Sequence, residues 1–473
     1  MSTWRTVFRL EWRILRKDRS ALLILAIFAV LLVVAALAGG RHASEIEGGL
    51  ERQTQLQNEH MEALGTKLDQ MIAQDAQPSA RDPRDPVWMG QDGAAQLATL
   101  PPAPLAAVAV GKRHLSPQAV RITTGVHVTA EHSSESAMSG PTRLMTGAFD
   151  PAFLFVVLFP LVIIALSYEL LSGERERGTL AMLLSQPISQ GALVMGKAGA
   201  RAVGLMAVTV VFALVGLVLA GADLGSGAAW GHGALYGALL LAWTLFWFAT
   251  AVAVNSTGQT SARNALTLVG LWLLLVVVVP GLTHVAVDTL YPPPSRVELL
   301  HEVREASLSV EQKLNSLQGR HDVDPGSMAQ AQKIVEAEEE LLALTDPAEE
   351  ALHEKLRQRH EINATIRLLS PALIVQMGLE DIAGSGQQRQ LNFEAQADDY
   401  HDVYRAFFVQ KVRAGQSMTP ADMGAIPRFE FKEEPAGVLA WRVLGGVLTL
   451  LLLAMAALVF ARPGLRRIGR LTR

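Results

Sequence analysis

Six apolar stretches decide what this chain can become. They occupy residues 21–38, 151–168, 202–220, 233–254, 265–283 and 436–461, and Arg442 is the only charged side chain in any of them. A bilayer core about 30 Å thick needs roughly 20 such residues in a helix, because every backbone N–H and C=O must be paired within the segment. The pattern predicts an all-α integral membrane protein. Six transmembrane helices carry two large, mainly helical extracytoplasmic segments, 39–150 and 284–435. A cleaved signal peptide is the rival reading of the first stretch, since Ala36-Leu37-Ala38 looks like a small-residue cleavage site. The run is 18 residues, longer than the usual h-region of about 7–15.

Charge sets the expected orientation. The four connections assigned to one side (1–20, 169–201, 255–264 and 462–473) hold 16 basic and 5 acidic residues. Segment 41–149 holds 9 basic and 12 acidic, and 284–435 holds 15 and 26. The excess of Lys and Arg belongs on the cytoplasmic side. Both termini are therefore expected in the cytoplasm. The net charge of −4 disfavours a basic nucleic-acid-binding domain. With no cysteine in the chain, disulfides, thiolate metal sites and cysteine nucleophiles are excluded.

Residues 3–17, TWRTVFRLEWRILRK, interleave aromatic and aliphatic residues with arginines at spacings of three and four. This predicts an amphipathic helix in the membrane interface, with Trp4 and Trp12 at headgroup depth. The connection 169–201 is the most specific signal. It reads GERERGTLAMLLSQPIS over 173–189: a charged head, a short apolar run, then Gln186-Pro187 as a helix stop. A short amphipathic helix beside the membrane is expected, able to press into a groove on a soluble partner.

These residues carry a family resemblance. Glu174, Glu176, Gly178, Thr179 and Leu180, then Ser185 and Pro187, with Lys197 ahead of the third span, resemble the coupling stretch of ABC-2-type transporter permeases. The segment 144–168, SPALIVQ at 370–376, DIAG at 381–384, Phe393 and Tyr400 are similar to the branch with large extracytoplasmic insertions and an uncharacterised C-terminal portion. The resemblance is dense at 141–201 and 368–400. It implies the permease subunit of an ABC exporter, not catalytic itself, working as a homodimer or heterodimer with separately encoded ABC ATPase subunits. ATP and Mg²⁺ would be bound on those subunits and no cofactor by this chain. The residues implied in ATPase coupling are Glu174, Arg175, Glu176, Arg177, Gly178, Thr179, Leu180, Ser185, Gln186 and Pro187. Membrane lipid is the other expected partner, and nucleic acid is not expected.

Other motifs fall short. Residues 191–198 read G-x-x-x-x-G-K-A, and Ala198 stands where a phosphate-binding loop needs Ser or Thr for Mg²⁺. Lys197 reads instead as a positive-inside anchor. His353, His360 and the Asp398–Asp402 cluster lack any metal-site spacing and read as a solvated acidic face. Ser385 lacks the flanking glycines of a nucleophile elbow. The spans lack the buried acids, lysines and histidines of ion-coupled transporters. Gly233 and Gly237 form a G-x-x-x-G that marks a candidate close helix contact.

In the first extracytoplasmic segment, Ile46, Leu50, Met61, Leu64, Leu68 and Met71 predict a helix, and 101–128 a short strand pair. In the second, 297–317, 328–344 and 348–369 read as helices with turns at 324–326 and 345–347. An alternative reading is a membrane-anchored sensor or scaffold whose outer segments bind a ligand or partner. It predicts no ATPase partner.

Overall fold

Serine, threonine and aspartate side chains cap the starts of most of the membrane-embedded helices. In the computed structural model, Asp18 accepts from the backbone N–H groups of Ser20 and Ala21 at the head of the first span helix. Ser189, Ser226, Thr260 and Ser370 each accept from the N–H three residues on, opening four further helices. The structure describes residues 3–75, 77, 79, 81–111, 117–125, 149–184, 189–222, 225–292, 301–310, 312 and 328–470.

Helix α1 (Thr3–Leu15) leads into α2 (Arg19–Ala73). A two-stranded antiparallel sheet follows, β1 (Gln96–Thr99) on β2 (Ala119–Ile122), with Gln96 opposite Ile122. Helix α3 opens as Pro151–Phe153, widens into a π-helical turn at Leu154–Leu158 and ends as Phe159–Ser167. Two short helices, α4 (Ser172–Glu176) and α5 (Leu180–Leu184), precede α6 (Gln190–Leu219) and α7 (Gly227–Asn255). Helix α8 covers Ser261–Leu290 with a π-helical turn at Leu273–Val278. Beyond it lie α9 (Met328–Ile366), α10 (Pro371–Ile382), α11 (Gln387–Arg413), α12 (Pro420–Ala425) and α13 (Ala436–Arg470).

Among the described residues, six helices are long and apolar enough to cross a membrane, and each expected span falls on one of them. The protein is therefore an all-α, multi-pass membrane protein. Helix α7 is the hub, with Trp243 and Trp247 fully buried among Phe155, Phe246 and Phe28 of the main core. Trp230, Tyr291 and Trp441 are exposed at the ends of α7, α8 and α13 on the side of the two large segments, hereafter the outer side. Aromatic residues at such ends mark the headgroup level.

The two π turns share one cause. In α3 the N–H of Phe159 reaches back five residues to Leu154, so the next carbonyl, Phe155, should receive the N–H of residue 160. That residue is Pro160, which has none. The indole of Trp243 donates to Phe155 instead, at 2.9 Å. In α8 the N–H of Val279 bonds Leu274, and Pro280 leaves the Leu275 carbonyl without a backbone donor. There the Ser370 hydroxyl fills the gap, at 3.2 Å.

Several expectations change. The first span does not stop at the membrane: α2 continues to Ala73, about 80 Å of unbroken helix. Its outer end packs Leu64 and Leu68 against Phe393, Tyr404 and Phe408 of α11 and Ile122 of β2, the core of an outer domain. The strand pair forms, but β1 lies before 101–128 rather than inside it. The expected turn at 345–347 is absent, because α9 runs through Pro347. The Thr345 hydroxyl bonds back to the carbonyls of Leu341 and Leu342 in the preceding turn. Residues 301–310 are helical, and the turn at 324–326 lies outside the described residues. Gly233 and Gly237 have nothing within 4 Å of an added Cβ. The close approaches lie elsewhere, at Gly196 and Gly204 of α6, where a side chain would meet Val7 and Leu15 of α1. Last, α10 was assigned to the outer segment, yet Ala372, Ile374, Val375 and Leu379 belong to the main membrane core.

Candidate functional site

At the inner ends of the spans, α4 and α5 are joined by a turn that the sequence writes directly. The N–H of Gly178 bonds the Arg175 carbonyl at 3.1 Å and that of Thr179 bonds the Glu174 carbonyl at 3.0 Å. This pair of bonds is a Schellman cap, which needs a left-handed residue at its centre, and Gly178 has φ of 75°. Thr179 then starts α5, its carbonyl accepting from Leu183 at 3.0 Å. The G-T pair of the motif thus ends one helix and begins the next within two residues.

The rear of this element is wired into the bundle. Lys197 of α6 is buried, with its ammonium 2.9 Å from Glu174 and 2.9 Å from Glu11 of α1. The Thr179 hydroxyl donates to the other Glu174 oxygen. Arg201 lies 4.0 Å from Glu11 and donates to the Leu166 carbonyl of α3. Arg175 donates to the carbonyls of Gly258 and Gln259 in the turn between α7 and α8. Glu176 accepts from the N–H of Ser261 at 2.7 Å and from its hydroxyl at 2.9 Å. Beneath these, Asn255 bonds the Ser167 carbonyl at 3.1 Å, and its own oxygen accepts from Leu171 and Asn264. Leu180 belongs to a small apolar cluster with Leu170, Leu171, Val7, Leu193, Val252 and Ala461.

The front is open. Arg177, Gly178 and Met182 are exposed, Met182 at 64%. The structure therefore divides the expected coupling residues. Glu174, Arg175 and Glu176 reach inward to the spans, although Arg175 and Glu176 keep exposed surface. Arg177 and the α5 surface face out. Ser185, Gln186 and Pro187 lie outside the described residues.

Sequence reasoning missed Glu11, Asn255, Asn264, Ser172 and Ser261. One signal was available: Glu11 is the only acid in Thr3–Leu15, a helix otherwise rich in arginine. The anchor reading of Lys197 is corrected, since the side chain pairs with two carboxylates rather than with lipid or solvent. Residues 191–198 lie within α6, and a helix cannot wrap a phosphate as a loop does. Among the described residues, no group of three or more His, Asp or Glu is placed to hold a metal ion. The acidic face is less solvated than expected: His401 is fully buried and His353 lies 3.7 Å from Asp398. Ser385 sits in the turn after α10 and donates to the Glu380 carbonyl.

Comparison with known proteins follows the same lines. The profile of the family described as ABC-2 family transporter protein matches residues 5–465. A Stutzerimonas stutzeri protein described as probable ABC transporter permease protein NosY is 30% identical over 152 residues, 31% of this chain and 54% of that protein. Its namesake in Pseudomonas aeruginosa is 34% identical over 128 residues, 25% of this chain and 44% of that protein. The chain spans about half the length of these curated relatives.

Proposed function

This chain belongs to the ABC-2 family of transporter proteins, and we propose that it is the permease subunit of an exporter driven by a separate ABC ATPase. It lies in the bacterial inner membrane with both termini in the cytoplasm, and two permease copies frame the substrate path. ATP and Mg²⁺ are bound on the ATPase, and this chain performs no hydrolysis. The carrying observation is the α4–α5 element, which has one exposed face and a rear held by Lys197 of α6 and by Gly258, Gln259 and Ser261 at the α7–α8 turn.

The geometry suggests how motion passes. The exposed side of Arg177 and Met182 seats in a groove of the ATPase. When the ATPases close on ATP, the α4–α5 unit moves as one body, because its Schellman cap and ion pairs leave it little internal freedom. Glu174 then draws Lys197 with α6 and α1, while Arg175 and Glu176 draw the α7–α8 turn. A single push at the inner face is thereby shared among most of the spans.

The test is reconstitution of the full chain with its ATPase in vesicles. The two subunits are expected to copurify without crosslinking. Glu174→Lys with Glu176→Lys, which sets a second ammonium beside Lys197 and repels Arg175, should leave the spans folded. It should lower permease-dependent ATP hydrolysis about tenfold, within the usual range of coupling energies. Unchanged hydrolysis in that variant would remove the coupling role. Absence of any ATPase partner would favour the sensor or scaffold reading.

A further inference from the structure

Helix α10 enters the bundle from the outer side and packs deep among the spans. Gly378 lies against Leu239 of α7, and Ile374 against Gly446 of α13; a Cβ at either glycine would come within 2.8 Å of that neighbour. The contact at Gly446 lies ten residues into α13, about 15 Å along the helix. The helix is also fastened at both ends. At its start, the Ser370 hydroxyl bonds the Leu275 carbonyl. At its end, Asp381 lies 3.5 Å from Arg442 and 4.0 Å from Arg367, and Arg442 also pairs with Glu434 at 2.8 Å.

Both fastenings are conditional. The Leu275 carbonyl lacks a backbone donor only while α8 holds its π turn. In regular α-helical register the N–H of Val279 would return to Leu275, and Pro280 would orphan Val276 instead. The Ser370 bond therefore exists in one of two helical registers of α8. At the other end, the Arg442 guanidinium is the only charged group in the six apolar stretches. Buried ion pairs add little net stability over apolar packing, but they resist being parted one partner at a time. The glycine contacts between these ends are smooth and apolar.

We propose that α10 is a releasable lock on the outer half of the bundle, held by the Asp381–Arg442 pair and by Ser370 on the π turn of α8. Straightening of α8 frees the start of α10, and parting of the ion pair frees its end. The outer halves of α7, α8 and α13 can then separate. This rests on the permease reading, because a transporter must open outward, but its test involves no ATPase.

The chain has no cysteine, so Ile374→Cys is a clean single probe in the full chain reconstituted alone. A membrane-impermeant maleimide added outside is expected to label it slowly. Adding Arg442→Gln should raise the rate at least about tenfold, and adding Ser370→Ala about threefold, as loss of a half-buried ion pair exceeds loss of one hydrogen bond. Arg442→Lys, which keeps the charge, should stay near the parent. Equal rates in the parent and in both weakened variants, each monodisperse in detergent, would overturn the lock. So would fast labelling of the parent, or Arg442→Lys labelling as fast as Arg442→Gln. Should Arg442→Gln fail to fold, the Ser370→Ala rate decides alone. A failed permease reading leaves all these rates untouched and shows itself as a missing ATPase partner.

Discussion

Lys197 carries the most consequence of any single residue. A lysine near a membrane surface ordinarily extends its stem and leaves its charge in water. Here the charge is enclosed between Glu11 and Glu174, and these three residues join α1, α4 and α6. Lys197→Met would leave two carboxylates facing each other, with only the more distant Arg201 and Arg177 to offset them. Removing one member of a buried charge group costs about 3 kcal/mol. The expected outcome is a clear fall in the thermal unfolding midpoint in detergent, with Lys197→Arg retaining most of it. An unchanged midpoint would mean that the acids are served by other groups. Gly178 shows the opposite case, in which local geometry gives the residue its place: it ends a charged helical turn with φ of 75°, which glycine adopts without steric cost.

Prolines separate the elements into kinds. Pro160 and Pro280 each follow a π turn whose orphaned carbonyl is met from another element, whereas α9 runs through Pro347 without such a turn. The proline positions could be read from the chain, but the donors that answer them could not. Helix α9 is the element whose hold on the outer domain depends on pH. The Glu349 hydrogen bond raises the pKa of His353 above the usual histidine value, against the effect of burial, and Asp398 and Glu394 add to the rise. Burial raises the pKa of Glu338, against its hydrogen bond from Gln91 and the nearby Arg405, with Glu339 adding to the rise. A raised folded-state pKa contributes stability that is complete below the unfolded value and is lost as pH rises through the folded one. Both groups therefore loosen α9 in the same direction, Glu338 from the carboxylate range upward and His353 above about 6.5. Hydrogen exchange in Met328–Ile366 should be faster at about pH 8.5 than at about pH 5.5 after correction for the intrinsic rate, and His353→Gln should flatten the difference. Equal corrected protection at both values, with the histidine present, would refute this.

For the whole molecule, the small net charge conceals a strong division between its two faces. Arginine crowds the inner ends of the spans and acids crowd the outer segments, so the membrane potential and the positive-inside rule favour one orientation. The absence of cysteine makes this testable. Met182→Cys on α5 should react with an impermeant maleimide only after the membrane is permeabilised, and Leu56→Cys on outer α2 should react in intact cells. The reverse pattern would invert the topology and place α4–α5 away from any cytoplasmic ATPase.

Span number and helical class were determined by the sequence itself. Partition of a contiguous apolar segment into lipid is a local property, which needs no partner. The partners were decided only by the tertiary structure: Glu11 for Lys197, Trp243 for Phe155, Ser370 for Leu275, Asp381 for Arg442. The same holds for α10, a short apolar helix that composition alone leaves in the outer segment. An ion pair or an orphaned carbonyl acquires meaning only from what is packed against it. Those neighbours come from elements tens to hundreds of residues away, brought together when the spans close around α7.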